Sequence, residues 1–287
     1  MKRSIKQVLI TGMFIVAGTG LMAYPFVSNY LYEHRQQQVI YSHQEKVEKT
    51  ENDKLKEELE AARAYNQWLN SQEVALTDPF DPESLKTEGQ DYEKILNLSG
   101  DGIMGYLEIP EIDVFLPVYH GTSSYVLDQG VGHLENTSFP VGGENTHCVL
   151  SAHTGLSDKK LFTDLVLLEM GDEFYIHTLD QVLAYEVDQI LTVKPEDTSQ
   201  LKIVPGKDYV TLVTCTPYGV NSHRLLVRGH RVPYNTEAEK NSDHGRKSSP
   251  WMRQYLFSIL AGLIMLLLIL AAVFWFVRKS DSTKRKR

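Results

Sequence analysis

The stretch TLVTCTPYGVNSHRLLVRG, residues 211–229, holds one of the chain's two cysteines and, nine positions later, an arginine. Two runs rich in Val, Leu and Thr flank a segment with Pro, Gly and Asn, which predicts two neighbouring strands. If the strands are antiparallel, the connection returns Arg224 to about the level of Cys215. At this strand end, Cys215 is a nucleophile, half of a disulfide or a small core residue, and the strand pattern alone leaves all three open.

The same alternation of short apolar runs and turn residues extends from residue 100 to residue 233. Short runs rich in β-branched and aromatic residues alternate with turns, as in THCVLSAH (146–153), DEFYIHT (172–178) and LAYEVDQILTV (183–193). This pattern predicts a mainly β domain, either a barrel or a sandwich. One run, KKLFTDLVLLEM (159–170), departs from it and predicts a helix.

Two uncharged apolar runs flank this region, at 8–27 and 255–277, and each has Lys and Arg on its outer side. A helix of about 20 apolar residues crosses a bilayer, and the basic residues place both tails in the cytoplasm and the middle outside the cell. For the first run, a cleaved signal peptide is the alternative. The net charge of −8, with basic residues concentrated in the tails, makes the exported region acidic and argues against a nucleic-acid partner.

Residues 36–76 are rich in Glu, Lys, Gln and Ala and contain no Gly or Pro. This composition predicts a long amphipathic helix or a pair of helices. The favoured interpretation is a solvated stalk that lifts the next domain from the membrane, and packing against that domain is the alternative. The prolines of LTDPFDPES (76–84) end the helical region.

These features predict eight segments along the chain. They are a cytoplasmic tail at 1–7, a membrane segment at 8–27, a helical region at 28–76, a short segment at 77–82, a β domain at 83–233, a linker at 234–252, a transmembrane helix at 253–277 and a basic cytoplasmic tail at 278–287. The linker is assigned because YNTEAEKNSDHGRKSS (234–249) is polar and shows no periodicity.

A nucleophilic cysteine needs a nearby base or positive charge that favours its thiolate. Candidate histidines in the exported region include His120, His133, His147, His153, His223 and His230. His153 is the best placed, because it ends the apolar run CVLSAH and so lies at a strand end. Arg224 either lowers the thiol pKa and holds a substrate carbonyl or oxyanion, or is a solvent-facing strand residue.

Cys148 tests the disulfide hypothesis. It lies five residues before His153, about 16 Å away along an extended strand at roughly 3.3 Å per residue. Cys148 and His153 therefore cannot both lie beside Cys215. The histidines of HCVLSAH are also too far apart to bind one ion, so the sequence predicts no metal site and no cofactor.

Taken together, these motifs resemble those of the sortase family. TLVTC followed by RLLVRG is similar to the family's catalytic signature, and VLSAHTGLSDKKLFTDL is similar to its histidine segment. The resemblance covers about residues 76–233 and implies an eight-stranded barrel with Cys215, His153 and Arg224 as catalytic residues. A D-P-aromatic triplet upstream and a second apolar run are typical of class C, the pilus sortases of Gram-positive bacteria. That resemblance makes Asp78, Pro79 and Phe80 a lid over the site.

The resemblance also implies a reaction. A class C sortase cleaves an LPxTG-like sorting signal between Thr and Gly and joins pilin subunits through an isopeptide bond to a pilin lysine. The implied partners are pilins with such signals and the lipid bilayer. The alternatives are a housekeeping sortase that anchors surface proteins to peptidoglycan, a non-catalytic membrane-tethered assembly module and, less favoured, a general cysteine protease.

Overall fold

The computed structural model describes residues 5–72, 74–81, 91–156, 158–235, 255–257 and 259–266. The chain divides into two units: Met1–Met22 with Ser248–Arg287, and Ala23–Lys247. In the first unit, the described residues are helical. Residues 236–252 of the expected linker, the basic tail at 278–287 and the last residue of the expected 77–82 segment lie outside the described residues.

No helix within the described ranges combines the length and the apolarity that crossing a membrane requires. The membrane segments expected at 8–27 and 253–277 are therefore not confirmed. Of the second segment, residues 253–254, 258 and 267–277 lie outside the described ranges.

Two helices form the helical region that the composition predicts: α1, Ile5–Lys49, and α2, Asn52–Asn70. Lys46 and Lys49 lie in the last turn of α1, where positive charge interacts favourably with the helix dipole. α2 buries one stripe of its surface, and three of the stripe's residues belong to the main hydrophobic core: Ala62, Tyr65 and Leu69. α2 thus packs against the β domain, and the solvated-stalk interpretation is wrong for this helix.

Asn66 fixes α2 to the β domain through the backbone of Phe139. Its Nδ2 donates a hydrogen bond to the Phe139 carbonyl at 3.2 Å, and its Oδ1 accepts one from the Phe139 N–H at 2.7 Å. Asn66 is buried, so both polar groups need these partners. The side chain therefore satisfies both backbone hydrogen-bonding groups of Phe139, which lies in the connection between β3 and β4.

The β domain is a closed barrel of eight strands in the order β1-β2-β3-β4-β7-β8-β6-β5. The strands are β1 Ile103–Ile109, β2 Val114–His120, β3 Val131–His133, β4 Thr146–Ser151, β5 Glu173–Thr178, β6 Gln181–Val193, β7 Asp208–Thr216 and β8 His223–Val232. The β2/β3 and β4/β7 pairs are parallel, and the other pairs are antiparallel. A short helix, α3 (Ser124–Gln129), lies between β2 and β3. The mainly β prediction and the barrel are confirmed.

Alternation along β7 divides its side chains between two hydrophobic clusters. Val210 and Leu212 belong to the main core, as does Cys148 of β4. Val213 points to the other face and belongs to a second cluster, which we name the lid-side cluster: Leu134, Val149, Leu201, Val213 and Leu226. Because side chains alternate along a strand, Cys215 shares the face of Val213.

The helix predicted at 159–170 does not form, and this expectation is wrong. A 3-10 turn at Leu165–Leu167 is the helical structure present there. The backbone bonds run three residues back, from the N–H of Leu165 to the carbonyl of Phe162 and from that of Leu168 to Leu165. Leu161, Phe162, Leu165 and Leu168 are all buried in the main core. Burial of these side chains in tight turns outweighs helix propensity.

Candidate active site

Cys215 and Arg224 face each other across two antiparallel strands. The register of β7 and β8 pairs Cys215 directly with Arg224. Residues 217–222 form the loop that connects the two strands, and Arg224 lies at the start of β8. The structure thus brings together the two residues whose proximity the sequence spacing predicts, and the guanidinium lies beside a half-buried thiol.

His153 reaches the same edge of the barrel from β4. The parallel pairing of β4 and β7 places Ser151 opposite Val213. The Ala152 N–H continues this pairing with a 3.2 Å bond to the Val213 carbonyl, and Thr214 Oγ1 donates to the Ala152 carbonyl at 2.7 Å. Two residues beyond Ser151, the register brings His153 to the level of Cys215. Parallel neighbours end at the same edge, which is why residues 62 positions apart meet here.

Asp78 pairs with Arg224 in a two-pronged ion pair. The guanidinium donates from Nε to Asp78 Oδ1 at 2.8 Å and from Nη2 to Oδ2 at 2.5 Å. The two side chains are only 11% and 13% exposed. An Arg–carboxylate fork of this kind is among the stronger polar contacts in proteins. It occupies the Nε and Nη2 donors of Arg224.

Phe80 covers the space between Arg224 and His153. Its ring centroid lies 5.0 Å from Arg224 Cζ and 5.6 Å from the His153 ring. The same side chain packs, together with Leu76, against the lid-side cluster. The Asp81 N–H bonds to the Asp78 carbonyl at 3.0 Å, which closes a turn around Pro79. The triplet therefore sits over the site with its turn intact.

Burial holds both titratable candidates in their neutral forms. Burial raises the pKa of the Cys215 thiol above its usual value; Arg224 lowers it and Asp78 raises it further. Burial lowers the pKa of His153, with Asp128 raising it and Lys159 lowering it. A thiol is less nucleophilic than its thiolate, and a neutral imidazole is the form that can accept the thiol proton. Cys215 is therefore in its less nucleophilic form in this arrangement.

The remaining cysteine lies elsewhere. Cys148 is 3% exposed in the main core, and both cysteines are free thiols. Cys148 pairs in register with Val210, which lies five residues before Cys215 on β7. The disulfide hypothesis is therefore wrong, for the geometric reason that the sequence spacing gives.

Most of the other candidate histidines are part of the scaffold. His133 and His147 are buried, and each has hydrogen-bond partners at both ring nitrogens. His120 bonds through its two nitrogens to the carbonyls of Gly102 and Ile95. His230 lies on β8, at the end of its pairing with Tyr209 and away from Cys215. His223 does lie near the site, opposite Thr216, but its Nδ1 contacts the neighbouring Ser222 hydroxyl.

Sequence reasoning did not find the charges around His153. Asp128 at the end of α3 and Lys159 in the loop after His153 both act on its pKa. Lys159 stands in the quoted segment TGLSDKK, so its proximity to His153 had a signal in sequence. Asp128 comes from a separate helix 25 residues earlier in the chain, and no sequence pattern connects it with His153.

The arrangement supports acyl transfer through a thiol. It combines a nucleophile, an imidazole that can exchange a proton and a fixed cation beside the nucleophile. Within the described ranges, no group of three or more His, Cys, Asp or Glu side chains is placed to hold a metal ion.

Comparisons with known proteins give one consistent result. The profile of the family described as "Sortase domain" matches residues 107–232. The chain is 32% identical to sortase A of Streptococcus agalactiae over 40% of this chain and 47% of that protein. It is 33% identical to sortase D of Bacillus subtilis over 45% of this chain and 63% of that protein. The matches thus span about half to two thirds of the length of these two relatives.

Solved structures match over a longer stretch. Sortase C-1 from Streptococcus pneumoniae is 48% identical, with a TM-score of 0.64 over 69% of this chain and 100% of that chain. Sortase C-1 from Actinomyces oris is also 48% identical, with a TM-score of 0.60 over 63% and 99%. A sortase C described as pilus-related, from Group B Streptococcus, is 44% identical, with a TM-score of 0.62 over 67% and 96%.

Proposed function

Because this chain belongs to the sortase family, whose members are cysteine transpeptidases, we propose that it is a pilin polymerase of class C. In this proposal it cleaves an LPxTG-like sorting signal between Thr and Gly and joins pilin subunits through an isopeptide bond. Support comes from the class C sortases among its structural relatives, at 42–48% identity. The observation that carries the proposal is the Cys215–Arg224 pair, with His153 at the same edge and Asp78 and Phe80 over it.

The first half of the reaction is acylation of Cys215. The Cys215 thiol gives its proton to the neutral His153 imidazole, and the thiolate attacks the Thr carbonyl carbon of the sorting signal, whose oxygen becomes an oxyanion near the Arg224 guanidinium. As the Thr–Gly bond breaks, His153 donates a proton to the leaving Gly amine. The products are a thioester on Cys215 and a released C-terminal fragment.

The second half transfers the acyl group to a lysine. The ε-amine of a second pilin attacks the thioester carbonyl, and His153 takes the proton that the amine loses. The C–S bond then breaks, which regenerates the thiolate and leaves an amide between Thr and the lysine. A neutral imidazole is the form that accepts this proton, and burial lowers the pKa of His153 in that direction.

The lid must open before the first half. Asp78 occupies the Arg224 donors and Phe80 covers the space next to His153. By mass action, the apparent affinity for a sorting signal falls in proportion to the fraction of molecules with the lid open. A closed lid also limits the loss of a thioester to water.

The test is covalent polymerisation by the full-length protein. Pilins with an LPxTG-like signal are incubated with the wild-type enzyme, with Asp78→Ala and with Cys215→Ala, and resolved on a denaturing gel. We expect ladders of SDS-resistant oligomers with the first two enzymes, more with Asp78→Ala, and none with Cys215→Ala. Ladders that persist with Cys215→Ala exclude Cys215 as the nucleophile and support a non-catalytic assembly role for this chain.

The acceptor distinguishes the pilin polymerase from a housekeeping sortase. A housekeeping enzyme shares the cysteine, histidine and arginine but transfers the signal to a peptidoglycan amine. In a competition between a pilin lysine and a cross-bridge peptide amine at equal concentration, we expect the lysine product to dominate. A dominant cross-bridge product would falsify the pilus assignment while leaving the transpeptidase assignment intact.

The same proposal places the enzyme at the cell surface. The two uncharged runs at 8–27 and 255–277, with Lys and Arg on their outer sides, support anchoring of both tails on the cytoplasmic side and exposure of the barrel outside. Protease treatment of intact cells checks this placement. Cleavage within the barrel region is expected, and a barrel that resists protease until lysis contradicts it.

A further inference from the structure

The loop that follows His153 is anchored on helix α1. Asn29 Oδ1 accepts a hydrogen bond from the Lys160 backbone N–H at 2.8 Å. The loop returns to His153 itself, because the Phe162 N–H bonds to the His153 carbonyl at 3.1 Å. The Asn29 amide is oriented by its own bond from Nδ2 to Glu33 Oε1 at 2.8 Å. A residue from the N-terminal helix thus holds the far side of the histidine loop.

Tyr32, one turn further along α1, reaches a second element beside the loop. The side chain is 8% exposed, and its hydroxyl donates to the Gln129 carbonyl at the end of α3 at 2.8 Å. The Lys159 ammonium lies 5.7 Å from the centroid of the same ring, which is cation–π distance. Tyr32 therefore contacts both elements that carry the charges near His153.

Those charges form one ion pair. Lys159 Nζ lies 3.7 Å from Asp128 Oδ1 and donates to the Asp128 carbonyl at 2.8 Å. The lysine side chain is 20% exposed and the aspartate side chain 56%, so solvent screens the pair mainly from the Asp128 side. The two groups act on His153 in opposite directions, since Asp128 favours the imidazolium and Lys159 disfavours it. A shift of either side chain therefore unbalances the charge that His153 experiences.

The other elements around His153 contribute few competing charges. The lid presents the Phe80 ring, and Cys215 is neutral in the closed site. Arg224 and Asp78 are paired with each other. Helix α1 can therefore alter the electrostatic surroundings of His153 through the Lys159–Asp128 pair.

We propose that Asn29 and Tyr32 of helix α1 are positioning residues for His153, acting through the loop backbone at Lys160 and the Lys159–Asp128 pair. This inference rests on the proposed acid and base role of His153. It assigns the N-terminal helix a part in catalysis that is separate from the lid. A displacement of about 1 Å in a catalytic group costs roughly 100-fold in rate, so an anchor at this loop has a measurable effect.

The first experiment compares Asn29→Leu with Asn29→Asp in the full-length enzyme. Leucine removes the acceptor for the Lys160 N–H at similar volume, and aspartate keeps an acceptor oxygen. In the polymerisation assay we expect Asn29→Leu to lower kcat about 10-fold with KM within about 2-fold, and Asn29→Asp to retain most of the wild-type kcat. Equal losses in the two variants, or no loss in Asn29→Leu, overturn the proposal.

The second experiment observes His153 without turnover. The protein is labelled with ¹³C at the histidine ring, the His153 signal is assigned with His153→Gln, and its shift is followed as a function of pH. We expect Lys159→Met to raise the pKa of His153, Asp128→Asn to lower it, and Tyr32→Leu to move it in the direction of Lys159→Met. A His153 titration that is the same in all three variants overturns the proposal.

The two experiments separate this inference from the proposed function. If Cys215→Ala still polymerises pilins, the proposed function fails whatever the histidine signal shows. If Cys215→Ala is inactive while Asn29→Leu and Tyr32→Leu leave both kcat and the His153 titration unchanged, the function stands and the inference fails. Thermal melting of each variant identifies any loss that comes from unfolding.

Discussion

The two cysteines of this chain occupy opposite kinds of place in one barrel. Cys148 lies in the middle of β4 among main-core side chains, and burial raises the pKa of its thiol well above the usual value. Cys215 lies half-buried at the end of β7; burial raises the pKa of its thiol too, and the guanidinium of Arg224 opposite offsets part of that rise. Each cysteine has a histidine nearby, in the sequence or in space, so the types of neighbouring residue do not distinguish the two sites.

Depth in the barrel is what separates their chemistry. Near Cys148, burial lowers the pKa of His133 to about 3 and that of His147 to about 4, so both stay neutral and serve as hydrogen-bond partners. At the edge, Asp78 pairs with Arg224 opposite Cys215, and the Phe80 ring packs against His153. In the function proposed above, Asp78 and Phe80 form a lid that moves away, whereas the core around Cys148 stays packed.

The largest expected effect comes from replacing each of the two cysteines with alanine, one at a time. Cys215→Ala should lower pilin joining by more than about 10³-fold, because the nucleophile is lost. Cys148→Ala should leave kcat near the wild-type value and lower the free energy of unfolding by about 1 kcal/mol. Gel-based rates and urea denaturation check the two parts. Loss of joining in a folded Cys148→Ala protein contradicts the contrast between the two sites.

Acid should destabilise the interior. The folded pKa values of His133 and His147, about 3 and about 4, lie below the unfolded value of 6.5. Neutral imidazole is therefore favoured by folding, and this stability is present above pH 6.5 and lost as pH falls towards 4 and 3. Each pH unit in that window costs up to about 1.4 kcal/mol per histidine. Urea midpoints at pH 7 and pH 4.5 measure the loss.

A matched pair of variants assigns the acid effect to the interior. His147→Gln removes one buried titrating group, and His34→Gln removes an exposed one. We expect a smaller acid loss in His147→Gln than in His34→Gln, whatever each substitution does at pH 7. If both variants lose the same free energy between the two pH values, the buried imidazole is not the source.

The lid should have the smallest of the three effects. Asp78→Ala and Phe80→Ala should each speed alkylation of Cys215 by about 10-fold, which corresponds to about 1.4 kcal/mol of lid closure. Asp78→Ala should also move the pH–rate curve to lower pH, because the carboxylate that raises the thiol pKa is gone. Alkylation rates from pH 6 to 10 test this. Asp81→Ala, which removes a neighbouring carboxylate and keeps the Asp78–Arg224 pair, is the control.

Unchanged rates in both lid variants count against a lid that protects Cys215. Cys148 provides an internal reference in the same experiment. In Cys215→Ala protein, alkylation should be absent under native conditions and should appear only on unfolding. Native labelling of Cys148 shows instead that the interior opens on its own.

The closeness of Cys215 and Arg224 could be predicted because it is a local feature. Two strands joined by a short turn pair residues near the turn, whatever the rest of the fold does. The strand segments were predictable for a similar reason, since β-branched and aromatic runs between turns are a short-range signal. The prediction of a helix at 159–170 was wrong because this segment buries its apolar side chains in the core by forming a tight turn.

Contacts between distant segments had no such signal. The Asp78–Arg224 pair joins residues 146 positions apart, and the triplet acquired meaning before the structure only through the family resemblance. The contact of Asn29 with Lys160 joins residues 131 positions apart, and no pattern in the sequence predicts it. The same is true of the surface on which α2 packs. A single amphipathic stripe does not specify which surface covers it.

By itself, the sequence determined the strand content, the paired Cys215 and Arg224, and the incompatibility of a disulfide with a histidine partner, because each depends on spacing along an extended chain. The tertiary structure decided that β4 and β7 run parallel, which brings His153 to the edge where Cys215 ends. It also decided which cysteine lies in the core and which lies half-buried at the edge, opposite the Asp78–Arg224 pair. Those outcomes depend on how deep each strand position lies in a closed barrel, and depth is set only when the strands have paired.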